Sequence, residues 1–252
     1  MTFDVAADAY DRFMGRYSRS LSPRLADLAG VRAGQRVLDV GCGPGALTTE
    51  LVGRLGAEAV AAADPSEPFV EAARRRHPGV EVALAGAEDL PFEDGTFDAA
   101  LAQLVVSFMS DPVAGLSEMG RVTRAGGIVA ACVWDLAGGT APLSPFWRAV
   151  TQIDPDARDE SAQAGASEGQ LAALFASAGL DDVEDGALAI RVEHARFEEW
   201  WDPFTLGVGP AGAYLAGRDA DAGSELRERC RVLLGDGPVR LAVRAWAARG
   251  RA

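Results

Sequence analysis

The residues best suited to chemistry lie in Val37-Leu-Asp-Val-Gly-Cys-Gly-Pro-Gly45, a β-prone run that ends in three closely spaced glycines. Glycines there remove the Cβ atoms that would keep a ligand away from the backbone, and the helix start beyond them supplies unpaired N–H donors. Such a turn suits a nucleotide-like ligand. The pattern Gly41-x-Gly43-x-x-Ala46 also satisfies the dinucleotide fingerprint, with Asp64 roughly 20 residues onward to receive ribose hydroxyls. A nicotinamide ligand and an adenosylmethionine ligand both call for an acid at that place, so the turn alone leaves the two open.

Other reactive side chains are sparse. Of the two histidines, His77 falls at a helix end and His194 at the entrance to a later insertion, and neither is assigned as a catalytic base. Cys42, Cys132 and Cys230 are odd in number and far apart, with no CxxC pair, so neither a disulfide framework nor a metal site is indicated. The 24 basic residues are all Arg, scattered through a chain of net charge −13, which argues against a nucleic-acid partner. No apolar run approaches the roughly 18 residues of a membrane span. Asp4, Asp8 and Asp11 stand where a secretory signal would be basic and then apolar, so the expected location is cytoplasmic.

The elements that must hold the glycine turn follow from alternation along the chain. Short β-prone runs at Arg36–Val40, Ala57–Ala63, Val80–Leu84, Phe97–Leu101 and Ile128–Val133 alternate with helical spacing at Ala46–Leu55, Ser66–His77 and Pro112–Thr123. That order is the mark of a parallel sheet with helices on both faces. Beyond Trp134 come loop-like stretches, Ala137–Pro145 and Asp154–Gly169, then a helix over Glu168–Ala178. Further β-prone runs cover Val183–Glu193 and Val239–Ala247, separated by a helical, aromatic segment. A connector of that length inside a compact domain reads as a lid.

Leu38-Asp-Val-Gly-Cys-Gly-Pro-Gly45, Ala87-Glu-Asp-Leu-Pro-Phe92, Phe97-Asp-Ala99 and Arg121-Val-Thr-Arg-Ala-Gly-Gly127 together resemble, in order and spacing, the motifs of the class I S-adenosylmethionine-dependent methyltransferases, in particular the type 11 branch. The resemblance runs from about Tyr10 to Trp134. It implies an α/β fold with a doubly wound, mostly parallel seven-stranded sheet, Rossmann-like, here with a helical lid inserted near the C-terminus. It implies S-adenosyl-L-methionine as cofactor, S-adenosyl-L-homocysteine as product, and a small-molecule acceptor.

Residue by residue, the resemblance implies that Gly41, Gly43 and Gly45 approach the methionyl part and the ribose. Asp39 would help hold the amino group, and Asp64 the ribose hydroxyls. Pro65 and Ser66 would flank the adenine, with Ala87, Glu88 and Leu90 on its other side. Many relatives carry an acidic residue before that alanine, where this chain has Gly86. Ala102 and Gln103 would lie beneath the sulfonium, and Arg16 and Tyr17 would close over the methionyl carboxylate. Phe108, Trp134, Trp200 and Trp201 are the candidates for an aromatic acceptor pocket.

The expected organisation is one domain over residues 1–252, with a cofactor-binding core over 30–135 and a helical specificity insertion over 194–235. The expected reaction is in-line displacement, relying on positioning and exclusion of water. An NAD-dependent oxidoreductase is the rival enzyme, although the chain has no Lys and hence no Tyr-x-x-x-Lys pair. A nucleotide-binding protein without turnover is the rival outside enzymology.

Overall fold

The computed structural model describes residues 7–252; Asp4 of the acidic N-terminal stretch lies outside the described residues. A helical turn, α1 (Ala7–Tyr10), passes through a wide turn over Asp11–Gly15 into α2 (Arg16–Leu28). The sheet then begins. The alternating part comprises β1 (Val37–Val40), α3 (Ala46–Leu55), β2 (Val60–Asp64), α4 (Glu67–Arg76), β3 (Glu81–Leu84), β4 (Phe97–Gln103), α5 (Pro112–Val122) and β5 (Thr123–Trp134). There follow α6 (Ser144–Ile153), α7 (Gln170–Ser177), β6 (Asp181–His194), α8 (Phe197–Trp201), α9 (Gly209–Ala216), α10 (Ala220–Leu234) and β7 (Val239–Arg251).

The seven strands are ordered β3-β2-β1-β4-β5-β7-β6, and β7 alone runs against the others. This is the doubly wound, mostly parallel sheet that the alternation implies. Strand order reverses at β1, whose neighbours are β2 and β4. In open α/β sheets ligands bind in the crevice beyond the strand C-termini at such a reversal. The glycine turn leaves β1 at that place.

Two apolar layers cover the sheet. Val37, Ala62, Leu101 and Cys132 point into one, and Leu38, Val40, Ala63, Ala102 and Val133 into the other, as the two-residue period of a strand requires. The central strands are therefore largely apolar, with Asp39, Asp64 and Gln103 among the buried exceptions.

Several boundaries differ from those read in the sequence. The second strand starts at Val60, because Ala57–Ala59 forms a tight 3-10 turn, and it ends on Asp64 itself. Strand β7 is longer than expected, since its antiparallel pairing with β5 continues from Trp134↔Ala245 to Ile128↔Arg251, and β5 starts earlier, at Thr123, which pairs with Phe97 of β4. The helix α6 begins inside the stretch read as loop. Its Ser144-Pro start is polar, but Phe146, Trp147, Ala149 and Val150 are buried against the core.

Helices α8 to α10 lie between β6 and β7 in sequence. Phe204, just beyond α8, stacks on Phe146 of α6 with ring centres 4.7 Å apart and planes 5° apart. Among the described residues no helix is long and apolar enough to cross a membrane.

Candidate functional site

The turn after β1 is anchored first by its backbone. The N–H groups of Gly41 and Cys42 both donate to the Ala63 carbonyl of β2, at 2.7 and 3.0 Å. Gly41 has φ +68°, and a Cβ there would stand 2.3 Å from Cγ2 of Val105. Gly45 has φ +94°, with His77 Nε2 2.8 Å from its would-be Cβ. Any L side chain would be strained at these places.

Asp64 ties this turn to the next one. Its Oδ2 accepts from the Gly43 N–H at 2.8 Å and its Oδ1 from the Ser66 N–H at 2.9 Å. Each oxygen keeps a lone pair for a ligand hydroxyl. Burial raises the pKa of Asp64 from the usual carboxylate range, against the lowering by these two bonds.

Asp39, in the middle of β1, is 1% exposed. Its Oδ2 accepts from Thr48 Oγ1 of α3 at 2.6 Å, while Oδ1 has no partner among the described residues. Burial pushes its pKa up to about 7, the Asp64 charge adds to that, and the Thr48 bond opposes it. An unmatched buried carboxylate oxygen is costly, and it marks a place where a donor would be accommodated.

A cleft of about 820 Å³ opens beyond these strand ends. Gly41, Gly43, Asp64, Pro65, Ser66, Ala87, Glu88 and Phe108 line it, together with Tyr10, Leu104 and Val105, which the candidate set did not include. Glu88 accepts from the Ser110 and Asp111 N–H groups at 2.7 and 3.2 Å, so it braces the rim on which it stands. Leu104 has φ +64°, a conformation unusual for a side chain of that type, and its N–H donates to the Cys132 carbonyl. Nothing in the identity of a leucine signals that geometry.

Against the cleft, a small cavity of about 40 Å³ shares Tyr10, Leu104 and Phe108 with it. Trp134, Glu160 and Gln163 are also in its wall, as are Val208, Gly209 and Pro210 of the helical insertion.

The remaining candidates lie elsewhere. Gly45 faces His77 rather than the cleft. Leu90 and Ala102 are buried in the second apolar layer. The Gln103 amide donates to the Ser18 carbonyl at 3.2 Å, its Oε1 buried without a partner. Arg16 and Tyr17 turn to His194 instead of to the cleft: Arg16 Nη1 lies 2.9 Å from Nδ1 and Tyr17 Oη 2.9 Å from Nε2. Because Arg can only donate, Nδ1 accepts and Nε2–H donates to Tyr17. Burial and the Arg16 charge lower the His194 pKa to about 4, which keeps the ring neutral. Trp200 and Trp201 are 2% and 4% exposed and pack among Phe197, Phe146 and Phe204, so they line neither cavity. Their spacing in the sequence looked the same as that of pocket residues, because ring clusters serve cores and pockets alike.

The profile of the methyltransferase-domain family matches residues 38–131. Over 241 residues the chain is 31% identical to the demethylmenaquinone methyltransferase of Clavibacter sepedonicus, covering 86% of this chain and 93% of that one. The chain belongs to the class I S-adenosylmethionine-dependent methyltransferases. Within this methyltransferase family it is also 31% identical over 152 residues to the malonyl-[acyl-carrier protein] O-methyltransferase of Serratia marcescens, covering 58% of each chain. Against several curated relatives it spans only about half of their length, 48% to 58%. Geranyl diphosphate C-methyltransferase from Streptomyces coelicolor A3(2) shares the fold, with TM-score 0.56, 17% identity, and coverage of 94% of this chain and 80% of that one. The relatives' names cover three different acceptors, so family membership does not fix this methyltransferase's own.

Proposed function

We propose that the protein transfers a methyl group from S-adenosyl-L-methionine to a small-molecule acceptor, by in-line displacement in the cleft beyond β1 and β4. The observation that carries this reading is the joining of Asp64 to the glycine turn at the cleft wall. The residues present fit the cofactor. Asp64 would take the ribose hydroxyls. Pro65 and Ser66 on one side, and Ala87 and Glu88 on the other, would bound the adenine. The unmatched Oδ1 of Asp39 would favour the positively charged amino group, directly or through a water.

The bound cofactor would supply a sulfonium methyl, an electrophile that needs no further activation by the protein. The chain's own contribution is positioning and exclusion of water, worth up to roughly 7–11 kcal/mol when geometry is ideal. Gly41 and Gly43 let the ligand approach the backbone, Asp64 orients it, and the apolar walls at Tyr10, Leu104 and Phe108 keep water from the reacting face. The insertion over 194–235 would serve as lid and specificity element, since Val208 to Pro210 already wall the adjoining cavity.

Titration calorimetry with S-adenosyl-L-homocysteine tests the reading. One equivalent should bind, and Asp64→Ala combined with Gly43→Val should reduce affinity at least a hundredfold. No binding by the intact protein, or tight binding of NADH in its place, would overturn it.

A further inference from the structure

The glycine turn is held from outside by the end of α4. Arg76, the last residue of that helix, donates from Nη1 to the Pro44 carbonyl at 2.9 Å, between Gly43 and Gly45. Its Nη2 pairs with the Asp11 carboxylate, at the start of the wide turn that follows α1. Neither charge has a second ion pair among the described residues. One guanidinium thus ties the turn that forms the cofactor cleft to the N-terminal segment that lies across it. Arg suits this junction, because its planar fork donates to a carbonyl and a carboxylate at once, in fixed relative directions.

Tyr10 stands immediately before Asp11, and its place depends on that anchor. Its ring packs on Phe69 of α4 with centres 5.2 Å apart, and its Cε1 lies 4.0 Å from where a Gly43 Cβ would stand. With Gly41, Gly43 and Asp64 it walls the cleft, and it also walls the small cavity beside the cleft. Pro65, Ser66, Ala87 and Glu88, the residues assigned to the adenine, line the cleft alone. Tyr10 therefore marks the end of the cleft away from the adenine, where the methionyl part of the cofactor falls. The turn over Asp11–Gly15 has π-helical form, which is rare and frequent at functional sites.

Resting on the methyl-transfer reading above, we propose that Arg76 and Asp11 are positioning residues, whose ion pair holds Tyr10 against the methionyl part of the bound cofactor. Arg76 touches neither the cofactor nor the acceptor in this arrangement. It acts through Asp11 on the segment that carries Tyr10, and through Pro44 on the turn opposite that ring. Loss of the pair loosens one wall of the methionyl end and leaves the adenine end as it is.

The probes are S-adenosyl-L-homocysteine and adenosine, which lacks the amino-acid arm, with affinities measured by calorimetry and ligand-observed NMR. Arg76→Gln and Asp11→Ala should each weaken S-adenosyl-L-homocysteine at least threefold and leave adenosine within twofold. The double variant should bind within twofold of the weaker single one, because both substitutions remove the same pair. Tyr10→Ala should show the same selectivity for the longer ligand, and adding Arg76→Gln to it should cost less than a further twofold. Arg229→Gln, which breaks an exposed pair with Glu225 on α10, serves as the control and should change neither affinity. Urea denaturation of each variant shows that it folds. A loss below threefold for either single variant, an adenosine loss of twofold or more, or a further loss of twofold or more on top of Tyr10→Ala would each overturn the proposal and leave the cofactor reading intact. Failure of the wild-type protein to bind S-adenosyl-L-homocysteine would remove both.

Discussion

Gly41 combines two constraints that are separable by substitution: a left-handed backbone with φ +68°, and a Cβ position 2.3 Å from the Val105 side chain. An alanine there costs about 1–2 kcal/mol for the backbone and typically about 1–3 kcal/mol for overpacking. Gly41→Ala should therefore lose about 2–5 kcal/mol in urea denaturation. Val105→Ala made in the same chain should recover the packing share and leave the backbone share, so the two substitutions should be strongly non-additive. Strict additivity would show that the turn moves away from Val105 instead of colliding with it. The motif showed that glycines belong here. The identity of the collision partner, more than sixty positions later, became visible only when β1 and β4 were placed side by side.

At the scale of elements, the strands and helices of the core were legible because the central strands are buried on both faces and the helices are amphipathic, so composition and period agree. Legibility failed where burial overrode local composition. Ser144-Pro opens α6 in a stretch rich in Gly and Pro, and that helix is fixed by Phe146 packing on Phe204 of the insertion. The site divided in the same way. Asp64 and the glycines were readable from a compact motif, whereas Glu160 and Gln163 sit in a stretch read as loop-like, and Arg16 and Tyr17 were drawn to His194 by a contact 178 and 177 residues away. The α6 contact also yields a prediction. Phe204 is 2% exposed, so Phe204→Ala should cost roughly 3–5 kcal/mol and lower the melting temperature. Because Val208 to Pro210 follow directly and wall the small cavity rather than the cleft, S-adenosyl-L-homocysteine affinity should be kept within about threefold in the folded variant. A larger loss of affinity would mean that the insertion and the cofactor core respond as one unit.

For the molecule as a whole, two buried groups set opposing dependences of stability on pH. Asp39 is raised from 3.8 to about 7 in the fold, so between those values the native state holds a proton that the unfolded chain has lost, and stability falls as pH rises. His194 is lowered from 6.5 to about 4, so over that interval the unfolded chain holds the extra proton, and stability falls as pH drops. Both intervals include pH 5 to 6.5. Each group alone contributes a slope of at most about 1.4 kcal/mol per pH unit, and the two slopes have opposite sign. The two slopes offset each other, while Asp64 and Glu160, also raised by burial, add in the same direction as Asp39. Asp39→Asn should uncover the histidine, making the urea midpoint rise from pH 5 to pH 6.5. His194→Gln, whose amide can still pair with Arg16 and Tyr17, should uncover the carboxylate, making the midpoint fall over the same interval. Slopes of the same sign in the two variants would show that other titrating groups, Asp64 and Glu160 among them, outweigh this pair.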